Sequence, residues 1–380
     1  MIPFSIPTKI KIEMAYIGQC LKNMKLSGDG EFTERASEAL GGITGQERVL
    51  LTGSCTHALD MAAMLLNLKP GDEVIMPSYT FVSTANAFVL QGAVPVFVDV
   101  HPETMNIDER LIEPAITDRT RAICVIHYGG VACAMDQIME TASRHGLAVV
   151  EDAAQAIDAY YLGKDGRKHL GAIGTFGTFS FHDTKNITSG GEGGALLVND
   201  ERYWERARII REKGTNRSQF YEGIVDKYTW VDIGSSYLMA ELNAAFLLPQ
   251  LEEIDKITLH RFTTWQTYAQ LLQPLVLAGL VEIAKAPEFA TPNGHLFYLK
   301  LQNSGARNAL IAHLRERGIT APFHYIPLHS SPAGNRFGRF HGDDRYTSSD
   351  ASRLMRLPMF HGITMEQTQQ VVTSIQDFLG

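Results

Sequence analysis

The segment Thr178-Phe-Ser-Phe-His-Asp-Thr-Lys-Asn-Ile-Thr-Ser-Gly-Gly-Glu-Gly-Gly194 puts Lys185 in a polar loop. The apolar run Phe176 to Phe181 precedes it, and Gly190, Gly191, Gly193 and Gly194 follow. A lysine that works as a Schiff-base nucleophile needs a partly buried position, where desolvation lowers its pKa. The glycines would let backbone approach a flat ligand closely. A solvated loop lysine beside a glycine hairpin is the ordinary alternative.

Three other segments offer complementary chemistry. In Val149-Val-Glu-Asp-Ala-Ala-Gln155, Asp152 follows an apolar run and could pair with a protonated ring nitrogen, with Gln155 facing the same ring. Its everyday role would be a helix cap. In Thr52-Gly-Ser-Cys-Thr-His-Ala58, small hydroxyl residues lead into a helix, whose free N–H groups suit a phosphate. In Pro77-Ser-Tyr-Thr-Phe-Val-Ser-Thr-Ala-Asn86, Phe81 could stack on a planar group or simply fill a core.

The elements that would position these residues alternate along the chain. Helical patterns at Thr56–Leu68 and Thr80–Gln91 interleave with β-rich runs at Glu73–Met76, Val94–Val100, Ala122–His127 and Leu147–Val150. Short apolar runs separated by helices read as βαβ units around a mainly parallel sheet buried on both faces. Ligands then sit beyond the carboxyl ends of the strands. After about Gln250 the pattern changes to a long helix at Leu251–Leu272, a strand at Leu296–Leu301 and a helix at Ala306–Arg317, with the His- and Pro-bearing loop Phe323–Pro332 beyond. The expected division is a large α/β domain, residues 1–250, and a smaller α+β domain, residues 251–380.

Composition narrows the classes. The 380 residues are 45% hydrophobic and 20% charged, which excludes disorder as the dominant state. No apolar run approaches the ~20 residues of a spanning helix. The net charge of -8 disfavours a nucleic-acid binder. Four cysteines without a CxxC are no disulfide framework, so a cytoplasmic protein is expected. No metal-ligand spacing stands out, and no GxGxxG marks a nicotinamide site.

Together, and in this order, the four segments resemble fold-type I pyridoxal phosphate enzymes, and among them the sugar aminotransferase family often called DegT/DnrJ/StrS. The resemblance is carried by Ser180-Phe181-His182-Asp183-Thr184-Lys185 with Gly191-Glu192-Gly193-Gly194, by Glu151 to Gln155, by Pro77 to Phe81 and by Asn106-Ile107-Asp108. It implies pyridoxal 5′-phosphate as cofactor, with Lys185 bearing it and later moving protons. It implies that Asp152 pairs with the ring nitrogen, that Gln155 lies by the ring hydroxyl and that Phe81 stacks on the ring. Ser54, Cys55, Thr56 and Ser180 would cradle the phosphate. A homodimer or larger homo-oligomer is expected.

The segments Arg211–Arg217, Asp226–Trp230, Asp232–Met239 and Phe323–His329 resemble the branch that transfers the amino group of L-glutamate to C4 of a dTDP-keto-sugar in enterobacterial common antigen synthesis. Another keto position or another nucleotide sugar stays open. So does a cofactor-binding sensor without turnover, although Lys185, Asp152 and Gln155 are all present. A sugar dehydratase of this family would carry His at position 185. Lys213, Asn216, Arg217, His324, Tyr325 and His329 are candidate substrate contacts. One position departs from the pattern: Leu238 stands where many relatives place Asn or Arg against the neighbouring subunit's phosphate, so that contact is not assigned.

Overall fold

Successive side chains of a strand leave on opposite faces, and in the computed structural model, which describes residues 1–380, both faces of the main sheet are covered. Ile75, Ile123, Val125 and Val149 pack into one core with the helices Glu31–Thr44, Met135–His145 and Glu241–Glu252. Val74, Met76, Cys124 and Val150 pack into another with the helices Cys55–Leu65, Val82–Val89 and Trp204–Arg211. The result is an α/β sandwich with helices on both sides.

In chain order the strands are β1 (Val49–Thr52), β2 (Glu73–Pro77), β3 (Val94–Val98), β4 (Thr120–Ile126), β5 (Ala148–Asp152), β6 (Tyr160–Gly163), β7 (Gly166–His169), β8 (Phe176–Ser180), β9 (Gly194–Val198), β10 (Glu282–Ile283), β11 (Ala290–Thr291), β12 (Phe297–Lys300), β13 (Arg339–Phe340) and β14 (Leu354–Leu357). The main sheet has the order β1-β9-β8-β5-β4-β2-β3-β13. It is mainly parallel, as the sequence implies; β9 alone runs the other way, between β1 and β8. The carboxyl ends of β1, β2, β5 and β8 therefore share one edge.

A three-stranded antiparallel sheet, β10-β12-β14, packs against the helices Ile254–Leu277, Ser304–Glu316 and Met365–Leu379, with Ile2 from the start of the chain in the same core. The late segment β13 returns to pair with β3 of the main sheet. An aromatic cluster that includes Tyr79, Tyr128, Leu296 and Tyr298 joins the two sheets. A small sheet, β11-β6-β7, lies apart.

The stretch expected to be one helix at Leu251–Leu272 is divided. The helices Glu241–Glu252 and Ile254–Leu277 meet at Glu253, which leaves helical geometry at φ -105° and ψ 16°. The bend lets Leu251 and Ile254 both enter the main core while Tyr268 and Leu272 reach the C-terminal one. No helix is long and apolar enough to cross a membrane.

Candidate active site

The common edge of β1, β2, β5 and β8 closes against the C-terminal sheet around a cavity of about 640 Å3. On its main-sheet wall, Ser54 leaves β1 in extended geometry and caps the helix Cys55–Leu65, accepting from the His57 N–H at 3.1 Å. The first turn of that helix leaves the N–H groups of Cys55 and Thr56 without intrahelical acceptors, at the positive end of its dipole. Thr56 Oγ1 donates to Ser83 at 2.9 Å. Burial pushes the Cys55 thiol well above its ordinary pKa, so it stays protonated.

Register explains one glycine. Gly194 opens β9 between Thr52 and Ser180. A Cβ there would lie 2.4 Å from the backbone of Ser54 and Cys55, so any side chain would displace the cap. Gly190 (φ 79°) turns the loop against Phe246.

Glu151 and Asp152 end β5 and point to opposite faces. Glu151 is fully buried and accepts from His127 Nε2 at 2.9 Å and from the N–H groups of Gly171, Ile173 and Gly174 at 2.8, 2.7 and 2.6 Å. Burial alone would raise its pKa; His127 and the backbone donors outweigh that and hold it below the usual carboxylate value. Asp152, 6% exposed, faces the cavity. One of its oxygens accepts from Thr84 Oγ1 at 2.6 Å and the other from the Ala154 N–H at 3.1 Å. Thr80 Oγ1 lies 2.9 Å from Thr84 Oγ1 and supports that hydroxyl.

Lys185 projects from the loop after β8 into the same cavity. Desolvation lowers its pKa, Arg356 pushes the same way, and Cys55 and Asp152 pull against them. Gln155 accepts from the Gly129 N–H at 2.7 Å and donates to the Tyr325 hydroxyl at 3.2 Å. Phe81 stands just outside the helix Val82–Val89 as its N-cap, in extended geometry rather than inside the helix. It is 56% exposed and tilts toward Tyr325 at 6.3 Å.

The other wall comes from the C-terminal half. His324 Nδ1 meets the Tyr128 hydroxyl at 2.7 Å, and its ring stacks on Tyr325 at 3.5 Å. Burial, then Arg356 and Lys185, hold His324 well below the usual imidazole range, so the ring is neutral. His295, Arg356, Met359 and Phe4 also line the cavity; the sequence reading does not pick them out. Arg356 carried one faint signal, a lone charge in the apolar strand Leu354-Met-Arg-Leu357. Phe4 carried none.

The remaining candidates lie outside this cavity. His329 turns away, with Nδ1 2.7 Å from Ser78 Oγ and Nε2 3.0 Å from Asp344. Lys213 is exposed, Asn216 accepts from the Thr229 N–H at 2.8 Å, and Arg217 donates to Glu212 at 2.5 Å. Leu238 forms an antiparallel bridge with Thr52 of its own chain, beside Ser54. Elsewhere His101, Asp108 and Glu109 gather within 4.8 Å, with His101 Nε2 2.7 Å from Glu109.

The donors in the cavity fit a planar, phosphorylated ring: helix N–H groups for the phosphate, a buried carboxylate for a protonated ring nitrogen, a desolvated amine and an exposed aromatic face. Fold and site define an aminotransferase. Residues 7–376 match the DegT/DnrJ/EryC1/StrS aminotransferase family, and the chain belongs to it; this is a family of sugar aminotransferases that in general depend on pyridoxal phosphate. The chain is 33% identical over 350 residues to a protein of Geobacillus stearothermophilus called pleiotropic regulatory protein, covering 92% of this chain and 90% of that one. Among solved structures it is similar to the aminotransferase TlmJ of Streptoalloteichus hindustanus, at 27% identity and TM-score 0.90 over 100% of this chain and 99% of that one. It is also similar to DesV of S. venezuelae, solved with a ketimine intermediate, at 31% identity and TM-score 0.86 over 97% and 94% of the chains.

Proposed function

We propose that this chain carries the amino group of L-glutamate to C4 of dTDP-4-keto-6-deoxy-D-glucose, giving dTDP-4-amino-4,6-dideoxy-D-galactose and 2-oxoglutarate. The observation that carries the reading is the shared strand edge, where Lys185, Asp152 and the N-terminus of the helix Cys55–Leu65 face one cavity. The choice of sugar rests on the resemblance of residues 211–239 and 323–329 to the branch of the family that makes this product for enterobacterial common antigen.

Pyridoxal 5′-phosphate, when bound, supplies an electron sink for the pair released at the donor's Cα. Ser54, Cys55, Thr56 and Ser180 hold its phosphate. Asp152 keeps the ring nitrogen protonated; a carboxylate has lone pairs enough for this beside Thr84 and Ala154. Gln155 would lie by the ring hydroxyl, and Phe81 would cover one ring face. Lys185 Nζ would take the proton from the donor's Cα and, in the second half of the reaction, would deliver a proton to C4 of the sugar. Its lowered pKa favours the neutral amine, the form that acts as a base. Closure of the C-terminal wall, with His324 and Tyr325 toward the sugar, keeps water out. Lys213, Asn216 and Arg217, which lie outside the cavity, are kept as contacts for the nucleotide beyond its mouth; His329, turned away to Ser78 and Asp344, is not.

Two copies are part of this reading. The stretch Tyr221 to Ile233 exposes Tyr221, Ile224, Tyr228, Trp230 and Ile233, and twofold pairing is the commonest closed way for a chain to cover such side chains. Light scattering should give twice the chain mass. The functional test is turnover with a panel of keto-sugar nucleotides, locating the new amine by NMR. Amination of C4 on the dTDP sugar supports the assignment. Amination elsewhere, or of another nucleotide, moves it to the other acceptor. Cofactor binding without any turnover would leave a sensor.

A further inference from the structure

Three imidazoles line the cavity, His182, His295 and His324, and only His295 is engaged by nothing in the chain. His182 Nδ1 lies 2.9 Å from both Asp183 and Thr184 Oγ1. His324 Nδ1 meets the Tyr128 hydroxyl at 2.7 Å. His295 is 8% exposed, and neither of its ring nitrogens has a hydrogen-bond partner. Nδ1 is sealed from solvent, which leaves Nε2 as the nitrogen open to the cavity.

The backbone around His295 is fastened from two sides. Asn293 Nδ2 donates to the carbonyls of Gln155 and Ile157 at 3.0 and 2.7 Å, and Asn293 Oδ1 accepts from the His295 N–H at 2.9 Å. Arg261, buried on the helix Ile254–Leu277, donates to the carbonyls of Gly294 and His295 at 3.2 and 2.6 Å. Gly294 turns the chain at φ 65°, where a Cβ would lie 2.7 Å from the Arg261 backbone. One side chain thus ties the segment to the stretch that carries Asp152 and Gln155, and another ties it to the long helix.

Burial, then Lys185, Arg261 and Arg356, hold His295 well below the usual imidazole range, so the ring is neutral. A neutral imidazole carries one N–H and one lone pair. The three cations favour the lone pair at the sealed Nδ1, which puts the hydrogen on Nε2. The cavity therefore holds a fixed, neutral donor without an acceptor. Each half of a transamination moves one oxygen: it leaves the keto acceptor as water, and it enters the keto acid product from water. The reading above commits the phosphate cradle, Asp152 and Gln155 to the cofactor and Lys185 to the carbon-bound proton. It assigns no donor to that oxygen.

We propose that His295 donates from Nε2 to the carbonyl oxygen of the keto substrate, polarising it for attack by the amine while keeping its own proton. One contact serves both halves of the reaction, because they share one site. This rests on the aminotransferase reading above. Infrared difference spectra of the pyridoxal phosphate-loaded protein with 2-oxoglutarate, carbon-13 labelled at C2, read the carbonyl directly, since that form of the cofactor does not aminate a ketone. The C2 carbonyl band should lie below that of the free acid and return toward it in His295→Leu. Single-turnover amination of the keto-sugar and of 2-oxoglutarate should both fall about 10²–10³-fold in that variant, the worth of one such donor. Exchange of the glutamate α-hydrogen with solvent deuterium, followed by NMR, needs no carbonyl oxygen and should be unchanged. His295→Gln, which keeps an N–H, should recover part of the rate. Unchanged amination in His295→Leu, or a band that stays at its wild-type position, overturns the proposal. A loss confined to the keto-sugar overturns it in favour of a sugar hydroxyl, and an equal loss of α-exchange overturns it in favour of packing. Should His295→Leu fail to fold, the wild-type band decides: an unshifted band, or a shift that Arg356→Met abolishes, overturns the proposal, and a shift that persists in Arg356→Met supports it. A wild-type protein that aminates no ketone refutes the aminotransferase reading instead.

Discussion

The two walls of the cavity are built from different materials. The main-sheet wall is made where strands end, and the register of β1, β9, β8 and β5 sets the spacing of Ser54, Ser180 and Asp152. The C-terminal wall is made of side chains that reach in from β14 and from loops: Arg356, His295, His324 and Tyr325. Their positions depend on contacts such as Tyr128 to His324. A wall of backbone donors and strand ends is rigid and suits one resident group. A wall of side chains can be retuned residue by residue, and suits the choice of substrate.

The largest break in that contrast should come at Lys185. Lys185→Ala should lower single-turnover rates by about 10⁴-fold or more, yet absorbance titration should still show cofactor uptake through the phosphate cradle. Capture of added cofactor by the wild-type protein needs the unprotonated amine. Its rate should rise about tenfold per pH unit and level off below the ordinary lysine value of 10.5, because desolvation lowers the Lys185 pKa. A midpoint at or above 10.5 would contradict the desolvated setting of this half-buried lysine.

Next come the neighbours in β5, which separate chemistry from architecture within one strand. Asp152→Asn should cut turnover by roughly 10²–10⁴-fold with little change in melting temperature. Glu151→Gln should do the reverse, costing about 3 kcal/mol of stability by leaving His127 and three N–H groups around a neutral partner. The sign in pH follows from the depressed Glu151 pKa. Its contribution is present above the ordinary carboxylate value of 4.5 and is lost as pH falls through the lower folded value. Equal loss of stability in both variants would erase the distinction.

Gly194→Ala tests whether the cradle depends on backbone. Its Cβ must push Ser54 and Cys55 aside, so cofactor affinity by fluorescence titration should fall by about 10²-fold, the worth of one or two lost charge-assisted bonds. The smallest effect belongs to the other wall. His324→Gln should raise the keto-sugar KM roughly three- to tenfold, the range of a single neutral hydrogen bond, and leave cofactor affinity unchanged. A shift in cofactor affinity instead would show that both walls hold the same ligand.

The same division explains what can be read from the chain alone. Ser54-Cys55-Thr56, Glu151 to Gln155 and Ser180 to Lys185 are contiguous segments at strand-to-loop junctions, so period-2 and helical patterning place them on one edge before any coordinates. Arg356 is one residue in a four-residue strand, and which face it takes is set by antiparallel pairing with β12, a long-range choice that local pattern does not encode. The loop Phe323–Pro332 shows the limit at finer scale. His324 and Tyr325 face the cavity, while His329, a few residues on, is drawn off by Ser78 and Asp344. The bend at Glu253 has the same origin, since it answers to two cores at once.

The central claim is that one lysine, set by β8 and its glycine turn, bears the cofactor. Borohydride reduction of the purified, cofactor-loaded protein followed by peptide mapping tests it most directly. The label should fall on Lys185 and on no other lysine; a label on Lys164, Lys168 or Lys213, or no covalent label at all, would contradict the site.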